Sequence, residues 1–150
     1  MSSSSTRRRF LVAAALALAG CTTQVVQQAP PSSELAAVAP SLSVERFLQA
    51  VNAQDYEAMA SLFGTAAGPI QGERREIEVR MATIAQILRH EDYRIASENR
   101  PPGREAPTRR VSVNLTIGNR MVTDVGFMVV QTPGGVWLVE EIDLEKVTSG

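Results

Sequence analysis

Residues 111–132 read VSVNLTIGNRMVTDVGFMVVQT, and this stretch decides the fold. Val111, Val113, Leu115 and Ile117 alternate with Ser112, Asn114 and Thr116, the period of two that turns one face of a strand to a core and the other to water. Gly118-Asn119 supplies a tight turn. Residues 121–132 are apolar at odd and even positions alike, so they are read as a long strand placed centrally in a sheet. Working outward, Pro133-Gly134-Gly135 turns the chain and residues 136–144 return as the last strand. Upstream, residues 93–98 form another strand, set off by a Pro/Gly loop over residues 100–107.

Before residue 93 the apolar period lengthens to that of a helix. Ser43 is read as the cap of a helix with Val44, Phe47, Leu48 and Val51 on one face. Asp55 caps a short second helix carrying Tyr56, Met59, Leu62 and Phe63, and Gly64 stops it. After a loop with Gly68, Pro69 and Gly72, a third helix starts near Glu73 with Ile77, Met81, Ile84 and Leu88 as its core stripe. Glu73, Glu76 and Glu78 suit its positive N-terminal end. The expected fold class is α+β: three N-terminal helices packed on a curved antiparallel sheet of about four strands, over residues 41–147.

The first forty residues have a different character. Residues 2–9 are polar and end in three arginines, residues 10–19 are the apolar run FLVAAALALA, and Gly20 and Cys21 follow. A basic start, a short apolar run and a small-residue exit make a secretory signal, and the run is about half of the roughly 20 residues a membrane-spanning helix needs. Leu18-Ala19-Gly20-Cys21 resembles the bacterial lipobox without departure. The resemblance implies cleavage between Gly20 and Cys21 and diacylglycerol on the Cys21 thiol. Each buried methylene then contributes roughly 0.8 kcal/mol to membrane retention. An ordinary signal peptide that happens to end in Ala-Gly-Cys is the competing reading.

Thr6-Arg7-Arg8-Arg9-Phe10-Leu11 resembles the twin-arginine export signal, with Val12 where that signal often has lysine. Arg7 and Arg8 would be its pair, and export of a folded protein is what it implies; the same arginines also serve as the positive start of any signal. Thr22, rather than aspartate, follows Cys21, which by the same lipoprotein resemblance implies the outer membrane in a two-membrane cell. Residues 21–40, rich in Gln, Ser, Ala and Pro and free of aromatics, are read as a flexible lipidated tether with a mean reach of about 25 Å.

Charge and cysteine count narrow the function classes. Without Arg7, Arg8 and Arg9, 12 of the 15 basic residues remain against 16 acidic ones, a balance that disfavours nucleic acid as a partner. One cysteine excludes an intramolecular disulfide and CxxC redox or zinc chemistry. If it carries lipid, no thiol is left for catalysis.

Two further stretches, VERFLQAVNAQDYEAMASLF at 44–63 and GGVWLVEEIDLE at 134–145, resemble the NTF2-like (SnoaL/ketosteroid-isomerase) superfamily through their apolar spacing. The resemblance spans residues 42–147 and implies a sheet curled around a helix into a cone with a ligand-accessible end. A cystatin-like helix-on-sheet domain is the alternative. Enzymes of the superfamily place an Asp, Tyr or His inside the cone, and Asp124, mid-strand between Val122 and Gly126, is the residue here that fits such a base. Its strand is apolar on both faces, so alternation leaves its direction open.

The remaining candidates are structural on their own merits. His90, the one histidine, is placed in the last turn of the third helix beside Glu91 and Asp92, too small a set for zinc. Tyr56 and Tyr93 are taken as core or rim residues, and Trp137 as packing that could also stack a ligand. Arg94, Arg100, Arg104, Arg109, Arg110 and Arg120 fall early in the sheet, whereas Glu140, Glu141, Asp143 and Glu145 crowd its end. Far apart they would form opposed patches for a protein partner; side by side they would form modest cross-strand pairs.

The expected function is therefore a cell-envelope protein, anchored to the membrane through lipid on Cys21 and facing the periplasm. Its domain would bind a small apolar ligand or an envelope protein without catalysis, and no metal or cofactor is implied. The alternatives are a small enzyme using Asp124 in a cone pocket and a structural envelope component.

Overall fold

The computed structural model describes residues 39–104 and 107–149. The signal at 1–20, with Arg7, Arg8 and Gly20, and the tether with Cys21 up to residue 38, lie outside the described residues.

Pro40 opens the first helix, α1 (Pro40–Ala53), at the position where a missing N–H costs nothing and φ is already helical. The N-cap is Ala39, which offers no side-chain bond, so the helix begins three residues before the expected cap at Ser43. Ser43 is instead fully buried, and its hydroxyl donates to the Trp137 carbonyl at 2.8 Å. Val44, Phe47, Leu48 and Val51 face inward. Gln54, in the left-handed region at φ 54°, ends the helix with its N–H on the Ala50 and Val51 carbonyls.

Asp55 caps the second helix, α2 (Tyr56–Leu62), its Oδ1 accepting from the Ala58 N–H at 2.9 Å. No glycine cap ends α2: Phe63 is already extended, and Gly64 enters a small antiparallel hairpin of β1 (Gly64–Thr65) and β2 (Gly68–Pro69). A Cβ on Gly64 would lie 2.2 Å from the Gly68 carbonyl oxygen, so the hairpin closes only around a glycine. Phe63 also makes a parallel bridge to Val139, which ties this corner to the main sheet. The hairpin stands in place of the expected loop with Gly68 and Pro69, between α2 and the next helix. The next helix, α3 (Arg74–Leu88), buries Met81, Ile84, Ala85 and Leu88.

The main sheet is antiparallel, in the order β3 (Asp92–Asn99), β4 (Thr108–Ile117), β5 (Arg120–Gln131), β6 (Trp137–Ile142). The protein is thus mixed α+β with a four-stranded meander. Register shifts fall between Ile95 and Ser97, between Val113 and Leu115, and between Met128 and Val129. Such bulges bend strands and sharpen their twist. The last strand is shorter than expected because Asp143 leaves it to cap a fourth helix, α4 (Leu144–Thr148), through Oδ1 and the Lys146 N–H.

One face of the sheet meets the helices. Val111, Val113, Leu115, Val125, Phe127 and Val139 of that face join Phe47, Leu48, Met59, Met81 and Leu88 in a single core, all of them fully buried. Phe47 and Phe63 lie with ring centroids 6.2 Å apart. The opposite face is buried at one end, where Thr108, Val130 and Leu138 form a cross-strand row. There Arg104, from the β3–β4 connection, reaches Glu140 at 3.1 Å and Glu141 at 3.8 Å on the far edge strand.

Candidate functional site

Alternation along β4 sends Val111, Val113 and Leu115 to the core, and therefore Arg110, Ser112 and Asn114 to the opposite face. Asp124 joins this second group. The bulge at Val113/Leu115 puts it at φ 58°, a left-handed conformation that aspartate tolerates better than most residues. Several partners hold it there. Asn114 Oδ1 accepts from its N–H at 3.0 Å, and Lys146 Nζ donates to its carbonyl at 2.8 Å and to its Oδ2 at 2.7 Å. Arg110 Nη1 reaches Oδ1 at 3.1 Å.

Lys146 first, and then Arg110 and Ser112, hold the Asp124 carboxyl well below the ordinary carboxylate range. Half of its side chain is exposed, and it lies on the face away from the helices. A general base needs a pKa near the working pH and a sheltered approach to its proton, whereas a carboxylate engaged by two cations is a poor proton acceptor. The geometry makes Asp124 a tie between β5, β4 and α4.

Arg110 has an unusual bed. Gly126 stands across from Ser112, and a Cβ there would lie 2.9, 3.0 and 3.1 Å from Nη2, Nε and Cζ of Arg110. Those distances put the Nε–Nη2 side of the guanidinium over the glycine. Ser112 Oγ accepts from Arg110 Nη1 at 2.5 Å and fixes its in-plane direction. A groove of about 510 Å³ opens beside it toward β6 and α4.

His90 lies two residues past the end of α3, in the connection to β3, instead of in the last helical turn. Its ring is buried. Nδ1 sits 2.8 Å from the Leu88 carbonyl, which can only accept, so the proton is on Nδ1 and Nε2 accepts from Asn52 Nδ2 at 3.3 Å. Asn52 Nδ2 also donates to the His90 carbonyl at 3.0 Å, and Asn52 Oδ1 accepts from the His90 N–H at 3.3 Å. The edge of Tyr93 meets the ring at 5.6 Å between centroids. This clasp joins the end of α1 to the start of the sheet. Among the described residues, no three His, Cys, Asp or Glu side chains are grouped to hold a metal.

Trp137 is buried on the helix side of the sheet, with the Arg109 guanidinium 5.9 Å from its ring centroid, so it packs instead of presenting a free stacking surface. Tyr56 is half-buried in the wall of a second cleft, of about 880 Å³, between the α1–α2 turn and the start of α3. Ile70 and Ile77 also line it. The two charge groups of the sheet interleave: Arg104 meets Glu140 and Glu141, Arg109 meets Glu98 at 3.8 Å, and Arg120 Nη2 donates to the Val147 carbonyl at 2.6 Å.

The seat of Arg110 over Gly126 escaped sequence reasoning, although a glycine inside an otherwise bulky strand marks a close approach by some other group. No family model matches the chain, and neither does any characterised protein compared with it. Among the described residues, no helix is long and apolar enough to cross a membrane.

Proposed function

We propose that this chain is a lipid-anchored envelope protein whose folded domain binds a partner and carries out no reaction of its own. The observation that carries the reading is Leu18-Ala19-Gly20-Cys21 at the end of a ten-residue apolar run, followed by a polar stretch and then an organised domain that starts at Pro40. Anchoring by lipid leaves the domain outside the bilayer on its tether, where its surface is its means of action. By the lipobox pattern with Thr22 after the cysteine, the outer membrane of a two-membrane cell is its place. Arg7 and Arg8 fit twin-arginine export.

The domain's own residues favour binding over turnover. Asp124 is locked in ion pairs, and the one histidine is consumed in a buried clasp. Two surface concavities, of about 510 and 880 Å³, lie within the size range of ligand-binding clefts. We read the helix-on-meander layout as NTF2-like, with the sheet bent by its bulges. On that reading, Phe47, Met59, Met81 and Phe127, fully buried between helices and sheet, stand where the resemblance implies a ligand-accessible cone.

The test is metabolic labelling with radioactive palmitate in a bacterial host. The wild-type chain incorporates label and partitions with membranes. Cys21→Ser accumulates as unlabelled precursor. Normal cleavage and membrane retention of Cys21→Ser would overturn the lipid anchor.

A further inference from the structure

We infer that the groove beside Arg110 is a docking site for an aromatic side chain flanked by lysine or arginine in a protein partner. In the sheet, Arg110, Met128 and Glu141 stand in one cross-strand row on the face away from the helices. The next row holds Ser112 and Gly126, and the Asp143 N–H donates to the Gly126 carbonyl at 2.9 Å. The missing side chain of Gly126 makes a notch, and the Nε–Nη2 side of the Arg110 guanidinium occupies it. Its edge is engaged by Ser112 and Asp124, which fixes its orientation before anything binds. About a third of the Arg110 side chain stays exposed, and it lines the groove as a preorganised cation.

The chemistry of the walls selects the occupant. Met128, Ile142 and Leu144 line the groove beside the guanidinium. A planar ring can stack on the cation while its edges meet a thioether and aliphatic carbons. The rim carries Glu141, Asp143 and Glu145. Asp124 faces both Arg110 and Lys146, which leaves one positive charge over; against it stand these three carboxylates, of which Glu141 also has the longer contact with Arg104, so the rim stays negative on balance. A ring with a single ammonium would answer one of them; a peptide with basic residues on both sides of an aromatic one answers more. Charge complementarity therefore points to a basic, aromatic-bearing segment of another protein.

This site deepens the binding role proposed above and is independent of the lipid on Cys21. The experiment titrates the full chain, purified in detergent, with acetyl-Lys-Trp-Lys-amide, acetyl-Lys-Ala-Lys-amide and acetyl-Glu-Trp-Glu-amide, followed by NMR shifts of the backbone amides around Gly126. The Lys-Trp-Lys peptide binds at least about tenfold more tightly than either control, because both the ring and the charges are needed. Arg110→Ala weakens it by about fivefold or more through loss of the stacking cation. Gly126→Ala keeps every charge but lifts the guanidinium from its seat, and weakens it similarly. Glu141→Gln with Glu145→Gln, both exposed, weakens binding and flattens its dependence on salt. Equal binding of the three peptides, or Lys-Trp-Lys binding unchanged by Gly126→Ala and by the double glutamine variant, would overturn the assignment. So would tryptamine binding as tightly as the peptide at these amides, which would make the occupant a free aromatic amine. Should the groove fail while a pull-down from solubilised envelopes still recovers a specific partner, the binding role stands and only its location is wrong.

Discussion

Replacing Asn52 with alanine removes the clasp between the end of α1 and the α3–β3 connection in one step. Three contacts go at once: the donor bond to the His90 carbonyl at 3.0 Å, the acceptor bond from the His90 N–H at 3.3 Å, and the bond to Nε2 at 3.3 Å. Each such bond has a net value of about 0.5–1.5 kcal/mol, and a buried group left unpaired costs about 1–3 kcal/mol. Water reaches the half-exposed side of the clasp and lowers the total, so the expected loss is about 2 kcal/mol. At about 4 °C per kcal/mol for a domain of this size, the melting temperature falls by about 8 °C. Urea denaturation of the purified protein gives the free energy, and calorimetry the temperature. Asn52→Asp separates the contacts: its oxygen still accepts from the His90 N–H, but the donor to the His90 carbonyl and to Nε2 is gone, so it recovers only part of what Asn52→Ala loses. A loss for Asn52→Ala within about 0.5 kcal/mol, or an aspartate variant as stable as the wild type, would refute the clasp as drawn.

Two other perturbations follow from the same structure. Gly64→Ala places a Cβ 2.2 Å from a backbone oxygen that cannot turn aside, so the β1–β2 hairpin opens and stability drops by about 1–3 kcal/mol, measurable by the same urea titration. The Asp124 carboxyl ionises more readily in the folded protein than in the unfolded chain. Its stabilising contribution is complete above the ordinary carboxylate range and fades as the pH falls below about 4, so Asp124→Asn should lessen the acid sensitivity of unfolding while lowering stability at neutral pH. An unchanged acid limb in that variant would mean that the Lys146 and Arg110 pairs do not form in solution.

Much of this architecture was legible because it is periodic. The alternation from Val111 to Ile117 and the stripes Val44–Phe47–Leu48–Val51 and Met81–Ile84–Leu88 report burial directly, since one face of each element must leave water. What escaped is set by single contacts. Ser43 looks like a cap, but Pro40 had already opened the helix, and the hydroxyl was needed inside to satisfy Trp137. The β1–β2 hairpin has only two residues per strand and owes its existence to Gly64 and to the bridge from Phe63 to Val139, a partner 76 positions away. Asp143 and Lys146 start a five-residue helix that a strand reading runs straight past. The direction of Asp124 depends on a bulge, and a strand that is apolar on both sides carries no local mark of where one falls. The Arg110 seat could be suspected from Gly126 but not located, because the arginine comes from the neighbouring strand.

The lipid on Cys21 is the claim from which destination and role both follow, and intact-mass spectrometry of the chain extracted from cell envelopes tests it most directly. The expected species is a polypeptide beginning at Cys21 with the added mass of a diacylglyceryl group, alone or with a further acyl chain on the new amino terminus. A chain that begins at any other residue, or one that retains a free thiol at position 21, would contradict it.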